Sequence, residues 1–546
     1  MTTHHLGPHP IVAHFLQRLN LASIVNQTVG SGRESCLEHG ATLAALVHNV
    51  LDSPAPLYRI AQWAEPVAPQ ALSLTPEQKR SLNDDRVARM LDAIVSERGR
   101  GLWFRLALRL IKQFKIETQR VHQDTTTVTF HGHYAGSVSE PRITEGHNKD
   151  HRPDLKQFVF GLSVSSDGAV PLTHQVFSGN RSDDTVHRSN LEELRALLDK
   201  SDFIYVADSK LGSSANLQEI AAHGGRFVTV LARTRKEDQV FREQLRKTAT
   251  RWKTIVTVPN KRRQSEPPDL YASVGGTHKT AEGFRLIWIR SSAKALDDQA
   301  LRSKHLAQAK QALAELRLRL NRRRLRAARA IRIKVREILQ HNGMEPFVHV
   351  TLQRQIHERL KHLKAGRPSA DSRVRRIRIL HWALKVDVDK QRLRQEKRVD
   401  GVFPLVTNLA KTTPKKEVLL IYKYQPYVEK RFSQFKTDLE VAPVYLKKPR
   451  RCAGLVHAYF VALAVASLIE RSVRQGMQRE KIEELPLFPE GRMTSTPTCP
   501  RILEAFRDVR WNEFKRGEET ICFPIQLSDL QKTLLRLLEV PRELYK

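Results

Sequence analysis

Phe203-Ile204-Tyr205-Val206-Ala207-Asp208 (FIYVAD) is an almost unbroken apolar run that ends on a carboxylate. A central strand buried on both faces needs such a run. An Asp at its carboxyl end stands at the edge where open α/β sheets bind ligands. Working back from it, Thr185–Leu198 reads as a helix. Before that, Gln157–Ser165 and Ala169–Phe177 are strand-like and joined by Ser166-Asp167-Gly168, a strong hairpin signal. Gln119–Phe130 (QRVHQDTTTVTF) is rich in Val and Thr, which suit a strand, and it carries Asp124 among threonines. Asp is disfavoured inside a strand, so Asp124 needs a reason. Working forward, Leu217–His223 reads as a short helix stopped by Gly224-Gly225, and Phe227–Leu231 as another buried strand. Three antiparallel-type strands followed by alternating helix and strand predict an α/β core with a mixed sheet.

The flanks differ in character. Residues 1–115 read as helical: Ile11–Val25 and Leu43–Leu51 have helical apolar spacing, Thr75-Pro76-Glu77 has the form of a helix start, and Leu102–Phe114 is basic and amphipathic. The pattern fits a helix-turn-helix that contacts DNA and an ordinary helical bundle equally well. Residues 232–399 read as an insertion. They contain a long helical stretch, Ala295–Gln340, with arginines at 322, 323, 324, 326, 329 and 332, and strand-like runs at Phe347–Leu352 and His381–Val388 with a Gly366–Ser369 loop between. Arg322, Arg323 and Arg324 fit both a solvated basic face and a track for phosphates. Strand character returns at Gly401–Leu409 and Val418–Tyr424, and Pro426 then opens a helix to about Leu439. The expected division is 1–115, 116–231, 232–399, 400–475 and a C-terminal helical region at 476–546.

The chain has 546 residues, 92 Lys and Arg against 58 Asp and Glu, and a formal net charge of +34. That excess repels itself unless an anion neutralises it, and nucleic acid is the first candidate. Cys36, Cys452, Cys499 and Cys522 form no CxxC pair, which argues against zinc ribbons and a disulfide scaffold and fits a reducing cytoplasm. The opening residues MTTHHLGPHPIVAHF lack a charged segment followed by an apolar run, so no signal peptide is expected. Ala453–Ile469 is apolar, but it contains His457 and Ser467, and a span needs roughly 20 apolar residues. It reads as a buried core helix, and no membrane partner is expected.

A third carboxylate completes a set. In the helix after Pro426, Gln425, Glu429 and Lys436 fall on one stripe, and Val428, Phe432, Phe435 and Leu439 on the adjacent apolar one. Three carboxylates, Asp124, Asp208 and Glu429, suit Mg²⁺ or Mn²⁺, which prefer oxygen ligands. Two such ions roughly 3.5–4 Å apart activate an attacking water or 3′-hydroxyl and stabilise the leaving oxygen.

The segment Tyr422-x2-Gln425-x3-Glu429-x6-Lys436 resembles the Tyr-x2-Arg-x3-Glu-x6-Lys signature of insertion-sequence transposases of the IS-four superfamily. Longer blocks are similar as well: HQDTTTVTFHG at 122–132, HNKDHRPDLKQF at 147–158, PLTHQVFSGNRSDD at 171–184, VADSKL at 206–211, DGVFPLVTN at 400–408, and QPYVEKRFSQFKTDLEVAPVYLKKPRR at 425–451. The resemblance implies an RNase H-like catalytic core, interrupted by an insertion domain between the second Asp and the Glu, with a helical N-terminal domain. It assigns catalysis and metal binding, two ions per site, to Asp124, Asp208 and Glu429. It also implies DNA contacts from Tyr422 and Lys436 near the cleaved strand, a homodimer acting on the element's terminal inverted repeats and on target DNA, and a prokaryotic, nucleoid-associated location. Gln425 departs from the family Arg and brings no charge to a phosphate. Lys423 and Arg431 are the candidates to supply it, and Gln425→Arg is expected to preserve or raise cleavage. A second reading is a sequence-specific DNA-binding protein that kept this fold without catalysis. A third is an RNA-cleaving enzyme on the same fold.

Overall fold

The structure is a computed structural model that describes residues 2–32, 36–132, 134, 141–150, 152–181, 183–259, 267–322, 324–363, 374–442, 444, 446–516 and 519–545. The chain forms two compact units. One comprises Met1–Val230, Thr407–Thr413 and Glu417–Lys546, the other Leu231–Val406 with Pro414–Lys416.

Five strands of the first unit form a mixed sheet. β1 (Arg120–Phe130), β2 (Lys156–Ser165), β3 (Pro171–Ser178), β4 (Ile204–Val206) and β5 (Arg226–Val230) lie side by side in the order β3-β2-β1-β4-β5. β1, β2 and β3 pair antiparallel, whereas β4 is parallel to β1 and β5 to β4. Parallel neighbours need a crossover, and the helices α1 (Asp183–Leu198) and α2 (Ser214–Ala222) supply it. The stiff Val and Thr side chains of β1 favour extended backbone, and both of its faces are covered: Val121, Val128 and Phe130 are buried, as are Thr125, Thr126 and Thr127. The β2–β3 turn needs Gly168. Its φ is +102°, and a Cβ there would press on the Arg471 side chain at 3.1 Å. Arg471 in turn bonds the Asp167 carboxylate, with Nη2 2.6 Å from Oδ2.

The apolar run read as a core helix lies within Pro449–Glu480, long and apolar enough by composition to cross a membrane. In this fold 94% of its most apolar window is covered by protein. The N-terminal helix Asp84–Ile94 packs on it, tied by an Arg451–Asp92 ion pair at 2.7 Å. Gly454 allows the close approach, since a Cβ there would lie 2.9 Å from the Leu91 carbonyl oxygen.

Several expectations need correction. Val418–Tyr424 is not a strand but the end of a helix, α3 (Lys415–Tyr422), with Val418, Leu419 and Ile421 buried and Leu420 exposed. A short apolar run does not distinguish the two states. The C-terminal region is not wholly helical. Arg510–Arg516 pairs antiparallel with Glu519–Cys522 on one side and with Thr2–His5 on the other, so both ends of the chain share a three-stranded sheet. The helix Asp529–Leu538 is present, started by a Ser528–Gln531 capping box.

In the second unit, Val402–Thr407, Arg285–Ser291, Asp269–Val274 and Trp252–Val258 lie in that order in a sheet. The basic stretch Ala295–Gln340 is two helices, Ser292–Arg319 and Ala328–His341, not one. Asn321 breaks it by taking φ +61°, which lets its side-chain amide bond both the N–H (2.7 Å) and the carbonyl (3.0 Å) of Trp382. The strand-like runs at 347–352 and 381–388 extend into a long antiparallel ribbon, Val348–His362 with Val374–Val388. The expected Gly366–Ser369 loop lies outside the described residues.

Candidate active site

Asp124 sits within β1, and β1 pairs with β4 so that His122 is beside Val206. That ladder stops two residues short of Asp124 and Asp208, and the Asp208 charge is felt at the Asp124 carboxyl. Asp208 begins the turn after β4. Its carboxylate accepts from the Lys210 N–H (2.9 Å), and its carbonyl accepts from Thr229 Oγ1 (2.6 Å) on β5. Asp124 accepts from the Thr125 N–H at 2.7 Å and has Lys149 Nζ at 3.7 Å. Burial pushes the Asp124 carboxyl up to about 6, and the negative charges of Asp208 and Glu429 push the same way against Lys149 and the Thr125 N–H. The three carboxylates therefore share one electrostatic field.

Glu429 arrives on α4 (Pro426–Ser433), and Gln425 fixes where that helix begins. The Gln425 amide donates to the Gln123 carbonyl at 2.7 Å, and its Oε1 lies 3.2 Å from His122 Nδ1. Both partners immediately precede Asp124 in β1, so the start of α4 is pinned to the Asp124 strand. Glu429 stands one turn further on, exposed, while Val428 and Phe432 are buried. After Ser433 the helix widens into a π turn, Gln434–Asp438. The wider turn changes the helical phase, so the single stripe through Lys436 does not persist. Lys436 instead pairs with Asp150, its Nζ at 2.7 and 2.9 Å from the two carboxylate oxygens. Tyr422, half-buried at the end of α3, has its phenol held protonated by burial and by the charges of Asp208, Glu429 and Asp124.

Two residues assigned to DNA contact are internal. Gln425 is 6% exposed, with its amide spent on β1. Arg431 is 5% exposed and donates to the Ala169 carbonyl (2.9 Å), the Gly168 carbonyl (2.6 Å), Gln434 Oε1 (2.6 Å) and Glu470 Oε2 (2.8 Å). A guanidinium so engaged cannot also bind a phosphate, and the missing family charge is not supplied from there. Lys423 is exposed. Arg322 and Arg324 are exposed in the turn between the two helices of the second unit, and Arg323 lies outside the described residues. Arg152 pairs with Asp154 at 2.9 and 2.7 Å.

Lys149 was given no role from the sequence. Its Nζ donates to the carbonyl (2.6 Å) and hydroxyl (2.7 Å) of Thr125, which sets an ammonium beside the Asp124 carboxylate. The available signal is its place in the block HNKDHRPDLKQF.

Among the described residues, no three His, Cys, Asp or Glu side chains are already gathered about one point as metal ligands. The donor chemistry nonetheless suits a hard divalent ion. Mg²⁺ takes one or two carboxylates and keeps several waters, so a closed protein cage is not its usual site. Asp124 and Asp208 offer two carboxylates, and Glu429, exposed on α4, offers a third whose charge also acts on Asp124.

A family model described as a domain of unknown function, DUF4277, matches residues 1–108. That match covers the N-terminal helices and stops short of the strand bearing Asp124. No curated protein matches the chain. Among solved structures, the chain is similar to one described as a cryo-EM structure of the piggyBac transposase synaptic complex with hairpin DNA, at 12% identity and a TM-score of 0.28. The alignment takes in 52% of this chain and 60% of that one. The chain thus spans 60% of the length of the structure it matches, and at that score the likeness carries no functional argument.

Proposed function

We propose that the chain is a DNA transposase of the insertion-sequence type, which cuts and rejoins phosphodiester bonds at an Asp124, Asp208 and Glu429 site on an RNase H-like core. The observation that carries this reading is that the β1–β4 ladder ends two residues before Asp124 and Asp208, while Gln425 pins the start of α4, which bears Glu429, to the Asp124 strand. The strand order β3-β2-β1-β4-β5, antiparallel on one side of β1 and parallel on the other, supports the RNase H-like assignment. The transposase signature through Tyr422, Glu429 and Lys436 supports the reaction class.

In this reading the three carboxylates hold Mg²⁺ or Mn²⁺, two ions per site as the resemblance implies. Bound there, the ions neutralise phosphate charge and lower the pKa of the attacking water or 3′-hydroxyl. The chain's own groups orient the DNA. Tyr422, kept protonated, donates a hydrogen bond rather than adding another negative charge. Lys149 offers an ammonium at the rim of the carboxylate field, and Lys436 becomes available to a phosphate by leaving Asp150. The net charge of +34 supplies the general attraction to duplex DNA. A homodimer cutting two terminal inverted repeats belongs to the same proposal.

Cleavage of duplexes carrying the inverted repeats that flank the gene, with Mg²⁺ present, tests it. Wild type nicks the ends, while Asp208→Ala binds them and does not cut. If both bind the ends and are equally inert, the chain is a DNA-binding protein on this fold. If structured RNA is cut in preference to duplex DNA, the substrate class is wrong.

A further inference from the structure

The ribbon in the second unit is clamped at its base and bare beyond. At the base, Val350, Leu352, Trp382 and Leu384 pack with Leu316, Leu320 and Ile331, and the Trp382 indole donates to the Arg326 carbonyl at 3.0 Å. Outward from that clamp, Gln353–Lys361 is exposed throughout, with Ile356 60% and Leu360 58% exposed. A lone two-stranded ribbon is marginal in water. Exposed apolar residues add to that cost: the register sets Ile356 and Leu360 on one face and Ile377 and Ile379, with Arg359, Lys361 and Arg375, on the other, so the ribbon as a whole is shaped for something to cover it.

The charge says what. Residues 353–362 and 374–383 carry six Lys or Arg (Arg354, Arg359, Lys361, Arg375, Arg376, Arg378) against a single acid, Glu358. Glu358 is taken up by Arg378 at 3.2 Å and Arg376 at 4.0 Å. Among the described residues, Arg354, Arg359, Lys361 and Arg375 make no ion pair. In the register, Arg359 faces Ile377 and Lys361 faces Arg375, so Arg359, Lys361 and Arg375 share one face. A second copy of the same arm would bring like charges together, whereas a polyanion would relieve them. The dimensions agree: ten residues of strand extend about 33 Å, close to one turn of B-form DNA, and the major groove admits a two-stranded ribbon.

We infer that the outer ribbon, 353–362 with 374–383, is an arm that seats in the major groove of duplex DNA, with Arg359, Lys361 and Arg375 on the phosphates and bases. This rests on the reading of the chain as a DNA enzyme and adds the surface through which it grips duplex away from the carboxylate site.

The test measures binding of the full chain to a mixed-sequence duplex across a salt series. The triple variant Arg359→Gln/Lys361→Gln/Arg375→Gln alters only exposed side chains, and an unchanged melting temperature verifies its fold. Expected is a loss of affinity at low salt and a slope of log K against log salt shallower by about 2–3, near one per phosphate contact removed. Asp208→Ala keeps the wild-type slope while losing cleavage. If the triple variant matches wild type in affinity and slope, the arm does not touch DNA, although the transposase reading stands. If the variant instead changes the oligomeric state without changing DNA binding, the arm pairs with a second copy and the inference is overturned. If wild type shows no salt-dependent DNA binding, the inference and the reading beneath it both fall.

Discussion

At the scale of single residues, the site stores unfavourable charge. Asp124 has a carboxyl raised from 3.8 to about 6, so between those values the folded chain binds a proton that the unfolded chain has released. Stability therefore falls as pH rises from about 4 to 6 and stays at the lower level above. Asp124→Asn removes the penalty. It is expected to stabilise the fold at neutral pH by on the order of 1–3 kcal/mol, to be neutral below about pH 4, and to abolish cleavage. Denaturant midpoints from pH 4 to 8 check the first two. A variant less stable than wild type at pH 7 contradicts the electrostatic account. Gln425 shows where sequence reasoning stopped. The spacing of the signature was legible, but which way residue 425 faces was not, because periodicity does not reveal that its amide meets the Gln123 carbonyl. The expectation that Gln425→Arg preserves activity is therefore reversed. An Arg there buries a charge without a counterion and is expected to cost about 2 kcal/mol, with cleavage falling alongside. A variant with wild-type melting temperature and full activity contradicts this.

At the scale of elements, α4 is positioned by a buried knot rather than by helix propensity. Arg431 joins the Gly168–Ala169 turn to Glu470 of the long core helix, and the same turn is held from the other side by Arg471 on Asp167. Removing one partner of a buried pair leaves the other charge stranded, so Arg431→Ala is expected to destabilise by about 3–5 kcal/mol. Urea unfolding checks the magnitude; a loss of only a few tenths would mean that Glu470 finds water or another partner. The core strands were legible because β-branched and apolar runs bounded by Gly and Asp leave few options, as in 203–208 and the Ser166–Gly168 turn. The run Val418–Tyr424 was not, because seven residues of mixed apolar character fit a strand or two helical turns, and tertiary packing chose the helix. Nor was the π turn at Gln434–Asp438, where one extra residue per turn leaves no compositional mark.

At the scale of the whole molecule, the change of character across 232–399 was visible, but its form was not. Arginines on both faces of the ribbon break the apolar–polar alternation that announces a strand, and the Asn321 turn is hidden in a helix-favouring basic stretch. The short strand Thr2–His5 escaped notice because its partner lies at the opposite end of the sequence, beyond the reach of local pattern. What links these scales is one claim: carboxylates from three distant segments act as a single divalent-cation site. The most direct test titrates Mn²⁺ into the full-length protein and follows the electron paramagnetic resonance signal of the free ion. The account predicts that wild type sequesters Mn²⁺, and that Asp124→Asn, Asp208→Asn and Glu429→Gln each weaken binding by about tenfold or more. Mn²⁺ binding that is absent from wild type, or unchanged in all three variants, would contradict it.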